Sequence, residues 1–143
     1  ELIIHILEEG RDLWETIGYW VLSPQSELDK VRRFLEKESF SIARETMMKE
    51  DGKYYTVMGV TRDGISWDYT SEPHYLYGGR LIRQKSPVLA EFLKKEQEQL
   101  EQILDTLKDS DTPAALNRRG EMEAMLAWNK EAQDEMLGTD TEA

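Results

Sequence analysis

The residues with the best claim to chemistry in this sequence are Ser23, Pro24 and Gln25, which follow an apolar run and precede a helix-like pattern. In open α/β sheets, ligands bind beyond the carboxyl ends of the strands, where the next helix begins with free backbone N–H groups. The side-chain amide of Gln25 carries a donor and an acceptor, so it could read a base edge or a cofactor amide. The simpler interpretation, which spacing alone favours, is that Pro24 ends a strand and Ser26 caps a helix.

Other catalytic chemistries find little support in the residues. The chain has no cysteine, and its two histidines, His5 and His74, lie far apart in sequence. No Gly-x-Ser-x-Gly motif, Gly-x-Gly-x-x-Gly motif or phosphate-binding Gly-Lys-Ser/Thr loop occurs. The pair Gly78-Gly79 follows no convincing parallel strand and is not expected to open a helix directly, so it is interpreted as a hinge. These patterns predict no metal site, and aromatic stacking explains His74 as well as catalysis does.

Basic residues gather in small groups on an acidic chain. The net charge is −11: residues 1–85 hold 12 basic and 15 acidic side chains, a net of −3, and residues 86–143 hold 6 and 14, a net of −8. This total argues against a simple nucleic-acid binder, although a local strip could face RNA if the connector folds against the sheet. Solvated surface is the simpler interpretation for each residue taken singly. The candidates are Lys30, Arg32, Arg33, Arg80, Arg83, Lys85, Lys94, Lys95, Arg118 and Arg119.

The first part of the chain has the pattern of an α/β sheet. Residues 1–9 have helical apolar spacing, and Gly18–Leu22 is an apolar strand of the type that is covered on both faces in a parallel sheet. A second helix is predicted from an N-cap at Ser26 to about Lys37. Two strands, 40–48 and 54–60, flank Asp51-Gly52, a pair typical of hairpin turns. This order predicts the edge of an otherwise parallel sheet.

The second part predicts an ordered connector and a helical hairpin. Residues 63–85 carry many aromatic side chains, which a disordered linker would rarely have. Ser86-Pro87 and Thr112-Pro113 each place a hydroxyl N-cap before proline at the first helical position. Both helices then have apolar residues at heptad spacing, and one acid, Glu96, interrupts the first stripe. The predicted units are a sheet portion at 1–62, the connector at 63–85, an antiparallel coiled-coil hairpin at 86–137 and a frayed tail at 138–143.

The chain is expected to begin in the middle of a fold. A buried strand at Gly18–Leu22 needs neighbours on both sides, yet only a helix-like segment precedes it. Its bare edge would favour self-association with another copy. No apolar run approaches the roughly 20 residues of a membrane span, so no membrane partner is expected. Because there is neither a signal-like segment nor a cysteine, the expected location is the cytoplasm.

Four segments of the chain resemble one known family. They are residues 1–10, Tyr19–Ser26, Glu50–Tyr55 and Tyr77–Leu89. Together they resemble the C-terminal part of the bacterial tRNA (adenine-N1)-methyltransferases acting on adenine 22, class I enzymes with a Rossmann-like domain and a C-terminal coiled coil. Where that family's strand ends in Leu-Gln-Pro-Asn, this chain has Leu22-Ser23-Pro24-Gln25, so two of the four residues differ. Gly79 also stands where the family has proline.

The resemblance implies a C-terminal fragment of an enzyme that binds S-adenosylmethionine and tRNA. It implies that the glycine-rich cofactor loop and the catalytic residues lie outside this chain, which alone is expected to be inactive and to bind no cofactor. Ser23, Pro24 and Gln25 would form the substrate rim, and the helical hairpin would grip RNA. The alternative is a non-catalytic protein–protein interaction module built on the coiled-coil hairpin.

Overall fold

The computed structural model describes residues 2–63 and 67–138. Sequence predictions that fall on residues 64–66 of the connector or on 139–143 of the tail lie outside these residues. Two helical turns, a 3-10 turn at Arg11–Leu13 and a π-helix at His74–Gly78, accompany the main elements. The main elements are α1 (Leu2–Glu9), β1 (Trp20–Leu22), α2 (Leu28–Lys37), β2 (Ser41–Glu50), β3 (Lys53–Thr61), α3 (Gly79–Arg83), α4 (Pro87–Leu107) and α5 (Pro113–Gly138).

The described strands form one antiparallel sheet in the order β1-β3-β2. The predicted hairpin is confirmed: β2 and β3 pair through a turn in which Asp51 and Gly52 have φ of 51° and 77°. The prediction that the first strand is covered on both faces is wrong within the described chain. There β1 pairs only with β3, and Val21 is 69% exposed. Self-association through this edge stays a prediction.

Helix α2 begins one residue later than the sequence indicates. Its N-cap position is Glu27, which has a left-handed backbone (φ 51°) and makes no side-chain capping bond, so the prediction of Ser26 as the cap is wrong. The predicted end at Lys37 is confirmed. Val31 and Leu35 are fully buried on the face that packs against the sheet. Burying these side chains stabilises the fold by roughly 1.5–3 kcal/mol each.

The connector contains regular helical structure, and its two glycines open α3. Gly78 is the N-cap of α3 and Gly79 its first residue, so the expectation that this pair does not begin a helix is wrong. Gly78 has φ of 93°, and a Cβ there would lie 2.8 Å from Oε1 of Glu45. A Cβ on Gly79 would lie 2.7 Å from the Tyr69 ring. Only glycine fits at these close approaches.

Helices α4 and α5 form the predicted antiparallel hairpin. Ser86 Oγ accepts a hydrogen bond from the Leu89 N–H at 3.2 Å, and Thr112 Oγ1 accepts one from the Ala115 N–H at 3.1 Å, which confirms both predicted caps. The helices meet along the heptad stripes, where buried Asn129 donates to the Leu93 carbonyl at 2.9 Å. Helix α5 runs to Gly138, one residue beyond the predicted end.

Two hydrophobic clusters organise the described chain, and residues of the connector contribute to the second. The first packs α1 and α2 on the sheet around Val31, Leu35 and Phe40. The second joins α3, α4 and α5 around Ile82, Leu93 and Ala132. No helix in the described ranges is long and apolar enough to cross a membrane. The predicted unit boundaries at 62 and 85 stay predictions.

Candidate functional site

A cleft of about 350 Å³ lies beyond the carboxyl end of β1, between the sheet and the helical hairpin. Pro24, Gln25 and the start of α2 form one wall. The opposite wall comes from α4, including Phe92 and Glu96. The π-helix closes one side with Leu76 and Tyr77. A cavity of this size lies in the roughly 300–1,000 Å³ range of ligand pockets.

The strand-end segment reaches this cleft in part. Pro24 is buried and lines the cleft together with the exposed Gln25. Gln25 donates its Nε2–H to the Ser23 carbonyl at 3.2 Å, a short local bond that an incoming ligand could replace. Ser23 instead donates its hydroxyl to the Thr56 carbonyl at 3.3 Å and lines a separate apolar groove beside α1. Two of the three predicted rim residues therefore line the cleft.

Aromatic rings that the sequence reasoning did not assign to a site line the cleft. Tyr54 and Phe92 meet edge to face with ring centroids 5.2 Å apart. Tyr77 also contacts Phe92 edge to face, with ring centroids 6.4 Å apart. Tyr54 comes from β3, Tyr77 from the connector and Phe92 from α4, so sequence spacing does not group them. The one available signal was the aromatic pair Tyr54-Tyr55 directly after the hairpin turn.

Glu96, the acidic residue that interrupts the apolar heptad stripe of α4, accepts two hydrogen bonds beside this cleft. The Tyr77 hydroxyl donates to Glu96 Oε1 at 2.5 Å, and Asn129 Nδ2 donates to the same oxygen at 2.9 Å. Burial, followed by the negative charge of Glu96, raises the pKa of the Tyr77 phenol well above its usual range. Tyr77 therefore keeps its proton and stays a donor to the carboxylate at neutral pH.

Arg32 belongs to the interior, so its inclusion among the RNA-binding candidates is corrected. Its side chain is 1% exposed and forms an ion pair with Glu45, whose side chain is fully buried. Nε and Nη2 donate to Glu45 Oε2 at 3.1 and 2.5 Å, and Nη1 donates to the Tyr75 and Leu76 carbonyls at 2.7 and 3.0 Å. The buried carboxylate of Glu45 makes a charged side chain acceptable on the inward face of α2.

Four further basic candidates are engaged within the protein. Lys30 and Arg33 pair with Glu27 at 2.6 Å and Glu72 at 2.5 Å, respectively. Arg83 pairs with Asp68 at 2.9 Å. Arg119 donates to the Leu107 and Ser110 carbonyls at 2.5 and 2.8 Å, so it holds the end of α4 and the turn that follows. Solvent-facing pairs of this kind leave the cations partly available but not free.

The remaining basic candidates are spread over three elements. Arg80 and Lys85 are half-buried at the two ends of α3. Lys94, Lys95 and Arg118 are exposed on α4 and α5. The structure brings Lys95 to the rim of the cleft, because its Nζ lies 5.8 Å from the centroid of the Tyr54 ring.

Lys49 reaches the same rim, although the sequence reasoning did not select it. Its Nζ lies 5.5 Å from the Tyr54 ring centroid and forms an ion pair with Glu91. The hydrogen bond that the Lys49 ammonium donates to Glu91 is the main cause of a raised Lys49 pKa, so the ammonium stays charged. Two cations therefore flank one aromatic ring at the mouth of the cleft.

The histidines have structural surroundings. His74 is 5% exposed, and its Nδ1 accepts a hydrogen bond from the Thr70 N–H at 3.0 Å. The ring proton is therefore on Nε2, which donates to Glu135 at 2.9 Å. His74 thus ties the connector to α5. His5 lies exposed on α1 beside Glu9. Within residues 2–63 and 67–138, no group of three or more His, Asp or Glu side chains is placed to hold a metal ion.

The fold and the position of the cleft define the class of protein. A chain of Listeria monocytogenes superposes with a TM-score of 0.84 at 21% identity, covering 92% of this chain and 58% of that one. A Rossmann-superfamily protein of Streptococcus agalactiae superposes with a TM-score of 0.76 at 22% identity, covering 92% and 54%. The chain therefore has the architecture of part of a Rossmann-like α/β protein, and the predicted fold class is confirmed.

The particular family follows from a match over most of the chain. The model of the tRNA (adenine(22)-N(1))-methyltransferase family matches residues 1–131, and the chain belongs to that family. The Bacillus subtilis tRNA (adenine(22)-N(1))-methyltransferase is 32% identical over 103 residues, which are 70% of this chain and 42% of that protein. The resemblance that the sequence motifs indicated is confirmed.

Solved structures of relatives agree with this assignment. The crystal structure of the B. subtilis M1A22 tRNA methyltransferase has a TM-score of 0.76 and 26% identity, covering 92% of this chain and 58% of that one. A Streptococcus pneumoniae relative, solved in complex with S-adenosyl-L-methionine, has a TM-score of 0.72 and 27% identity, covering 92% and 54%. The chain spans about half the length of the relatives that it matches.

Proposed function

We propose that this chain is the C-terminal part of an S-adenosylmethionine-dependent tRNA methyltransferase that modifies N1 of adenine 22. In this proposal Pro24 and Gln25 form the substrate rim. Ser23 holds this segment on the sheet through its hydrogen bond to the Thr56 carbonyl. The observation that carries the proposal is the cleft beyond the carboxyl end of β1, the place where open α/β sheets bind their ligands. Membership of the methyltransferase family supplies the reaction.

No cofactor site can be assigned to the residues of this chain. Every described strand pairing is antiparallel, and the sequence has no glycine-rich loop after a parallel strand. A nucleotide-like cofactor in a Rossmann-like fold needs such a loop and the helix N-terminus that follows it. S-adenosylmethionine therefore does not fit the residues present, and we derive no step through it. The proposal predicts that the chain alone neither binds the cofactor nor methylates tRNA.

We further propose that the helical hairpin grips RNA through two exposed lysines of α4, Lys94 and Lys95. Lys94 and Lys95 lie on α4, and Lys95 is at the rim of the cleft beside Tyr54. Each phosphate contact releases counterions, so the logarithm of the binding constant falls with the logarithm of salt by about 0.9 per contact on duplex DNA and about 0.7 on single strands. A strongly acidic chain can still bind tRNA if these contacts are local.

The test measures methyl transfer and tRNA binding by the full-length parent protein. Transfer to tRNA is expected with adenine at position 22 and is expected to be lost when guanine replaces it. Substitution of both Lys94 and Lys95 by serine is expected to lower the salt slope of tRNA binding by about 1.4–1.8. The matched control replaces Lys37 and Lys130, two exposed lysines away from the cleft lining, and should leave the slope unchanged.

Two results would contradict the proposal in different ways. Methylation that continues when adenine 22 is replaced would remove the assigned target. Salt-insensitive tRNA binding would remove the RNA grip and would favour the alternative, a protein–protein interaction module built on α4 and α5. The heptad stripes of these helices are largely occupied by each other: Leu93 and Ala132, both fully buried, belong to the shared cluster.

A further inference from the structure

One of the two carboxylate oxygens of Glu96, Oε2, accepts no hydrogen bond from the described residues. Oε1 accepts both hydrogen bonds, from the Tyr77 hydroxyl and from Asn129 Nδ2, and no donor among the described residues contacts Oε2. Tyr77 and Asn129 are 8% and 0% exposed, so they hold the carboxylate in one orientation. Because Glu96 lines the cleft, Oε2 is the acceptor available to a group that enters it.

The remaining walls suit a flat, apolar ring. Tyr54 and Phe92 present aromatic surface, and Met47 and Met125 add flexible thioether side chains to the lining. Aromatic side chains commonly stack on single bases that have left a helix, and methionine adapts to the shape of a bound ring. At about 350 Å³ the cleft has room for one base and its sugar, whereas a duplex is too wide to enter.

The charges in the cleft favour a base over a phosphate. Arg32 is the one cation among the described lining residues, and the buried carboxylate of Glu45 neutralises it. Of the other charged lining residues, Glu27 pairs with Lys30, whereas Asp29 and Glu96 are acidic and would repel a phosphate. Cations instead flank the mouth of the cleft, where the Nζ atoms of Lys49 and Lys95 lie 5.5 and 5.8 Å from the Tyr54 ring.

We propose that the cleft binds one unstacked adenine of the RNA, and that Glu96 Oε2 accepts a hydrogen bond from its exocyclic amine. The base lies among Tyr54, Phe92 and the methionines, and its phosphates stay at the lysine-flanked mouth. A base with a keto oxygen in place of the amine would turn an acceptor toward the carboxylate and be rejected. This inference rests on the proposed function, because the family name supplies an adenine as the target.

The test compares two nucleotides that differ only in the group that Glu96 would recognise. Adenosine 5′-monophosphate and purine riboside 5′-monophosphate share ring, sugar and phosphate, but the second lacks the exocyclic amine. Both are titrated into the isotope-labelled 143-residue chain, and dissociation constants are taken from NMR shifts of cleft residues. A hydrogen bond to a charged acceptor is worth roughly 1.5–3 kcal/mol, so an at least tenfold preference for the adenine nucleotide is expected in this partly open site.

The decisive variant is Glu96→Gln. The carbonyl oxygen of the new glutamine can keep the hydrogen bonds from Tyr77 and Asn129. The side-chain NH2 group then lies where Oε2 was, so a donor replaces the acceptor while the shape of the cleft is preserved. The tenfold preference should then fall to about one. The matched control is Glu91→Gln, which removes the same charge from an exposed residue that pairs with Lys49 beside the cleft. This control should shift both affinities together and retain the preference.

Equal affinity of the two nucleotides for the unchanged chain, or binding of neither, would overturn the inference. A preference that survives in Glu96→Gln would also overturn it. The methylation assay on the full-length parent separates this failure from that of the proposed function. If the parent methylates adenine 22 while the chain binds the two nucleotides equally, only the assignment of the cleft as an adenine site fails. If the chain discriminates but the parent does not methylate tRNA, the adenine pocket stands and the proposed reaction fails.

Discussion

Replacing Arg32 by methionine is expected to destabilise the chain by about 4–6 kcal/mol. The substitution leaves the buried carboxylate of Glu45 without its cation, which typically costs roughly 3–5 kcal/mol. It also removes the donor to the Tyr75 and Leu76 carbonyls, and each of the two lost bonds adds about 0.5 kcal/mol in a partly accessible site. Since a chain of this size has a stability of roughly 7–20 kcal/mol, the loss is a large fraction of the whole.

Urea unfolding followed by circular dichroism measures this loss. With an m value of about 2 kcal/mol per molar urea, a loss of 4 kcal/mol moves the midpoint by about 2 M. The double substitution of Arg32 and Glu45 by methionine should recover at least about 2 kcal/mol relative to Arg32→Met, because no charge then remains buried. If Arg32→Met does not fold, Arg32→Lys keeps the charge, loses the paired geometry and should show an intermediate loss.

The neighbouring residue provides the matched control. Arg33 also pairs with a glutamate, but its side chain is 50% exposed, so Arg33→Met should cost less than about 1 kcal/mol. A loss below 1 kcal/mol for Arg32→Met would refute the view that burial makes this pair indispensable. A double variant as unstable as the sum of the two single variants would refute the coupling between the charges.

The remaining predictions concern backbone geometry and pH. Gly78→Ala should cost at least about 2 kcal/mol of stability, because φ is 93° and the new Cβ would lie 2.8 Å from Glu45 Oε1. The control Gly120→Ala, in open space on α5, should stabilise the chain by about 0.5–1 kcal/mol. Urea midpoints that moved equally in the two variants would contradict this prediction. Stability should fall as pH rises above about 10, since the raised pKa of Tyr77 makes the unfolded chain lose its phenolic proton first. Tyr77→Phe should reduce that slope by up to about 1.4 kcal/mol per pH unit, and an unchanged slope would exclude Tyr77 as its source.

Local chemistry made several elements predictable from the sequence. The Asp51-Gly52 turn needs positive φ at both residues, and few sequences other than such pairs provide it. Ser86 and Thr112 cap α4 and α5 with their own hydroxyls, so the start of each helix is encoded within three residues. Helix α2 was less predictable, because its first turn begins at a left-handed Glu27 that has no side-chain cap.

The cleft could not be predicted because its walls are far apart in sequence. The acid at position 96 was visible as a break in a heptad stripe, but its donors, Tyr77 and Asn129, lie 19 and 33 residues away. Arg32 was misplaced for a similar reason. Its position beside Arg33 on an amphipathic helix indicated surface, and only the pairing with Glu45 on β2 shows that the guanidinium points inward.

The width of the cleft depends on five residues, the π-helix His74–Gly78, because they are anchored at both sides. On the sheet side, Arg32 binds the carbonyls of Tyr75 and Leu76. On the helical side, His74 donates to Glu135 of α5, and Tyr77 donates to Glu96 of α4.

π-Helical turns are rare and occur frequently at functional sites, since the extra residue turns side chains in a direction that a regular helix does not allow. Here the turn lets successive residues reach the sheet and both long helices, so Pro24 on one wall and Glu96 on the other keep a defined separation. A ligand that stacks in this cleft therefore meets walls that are already in place, and little of its binding free energy is spent on ordering them.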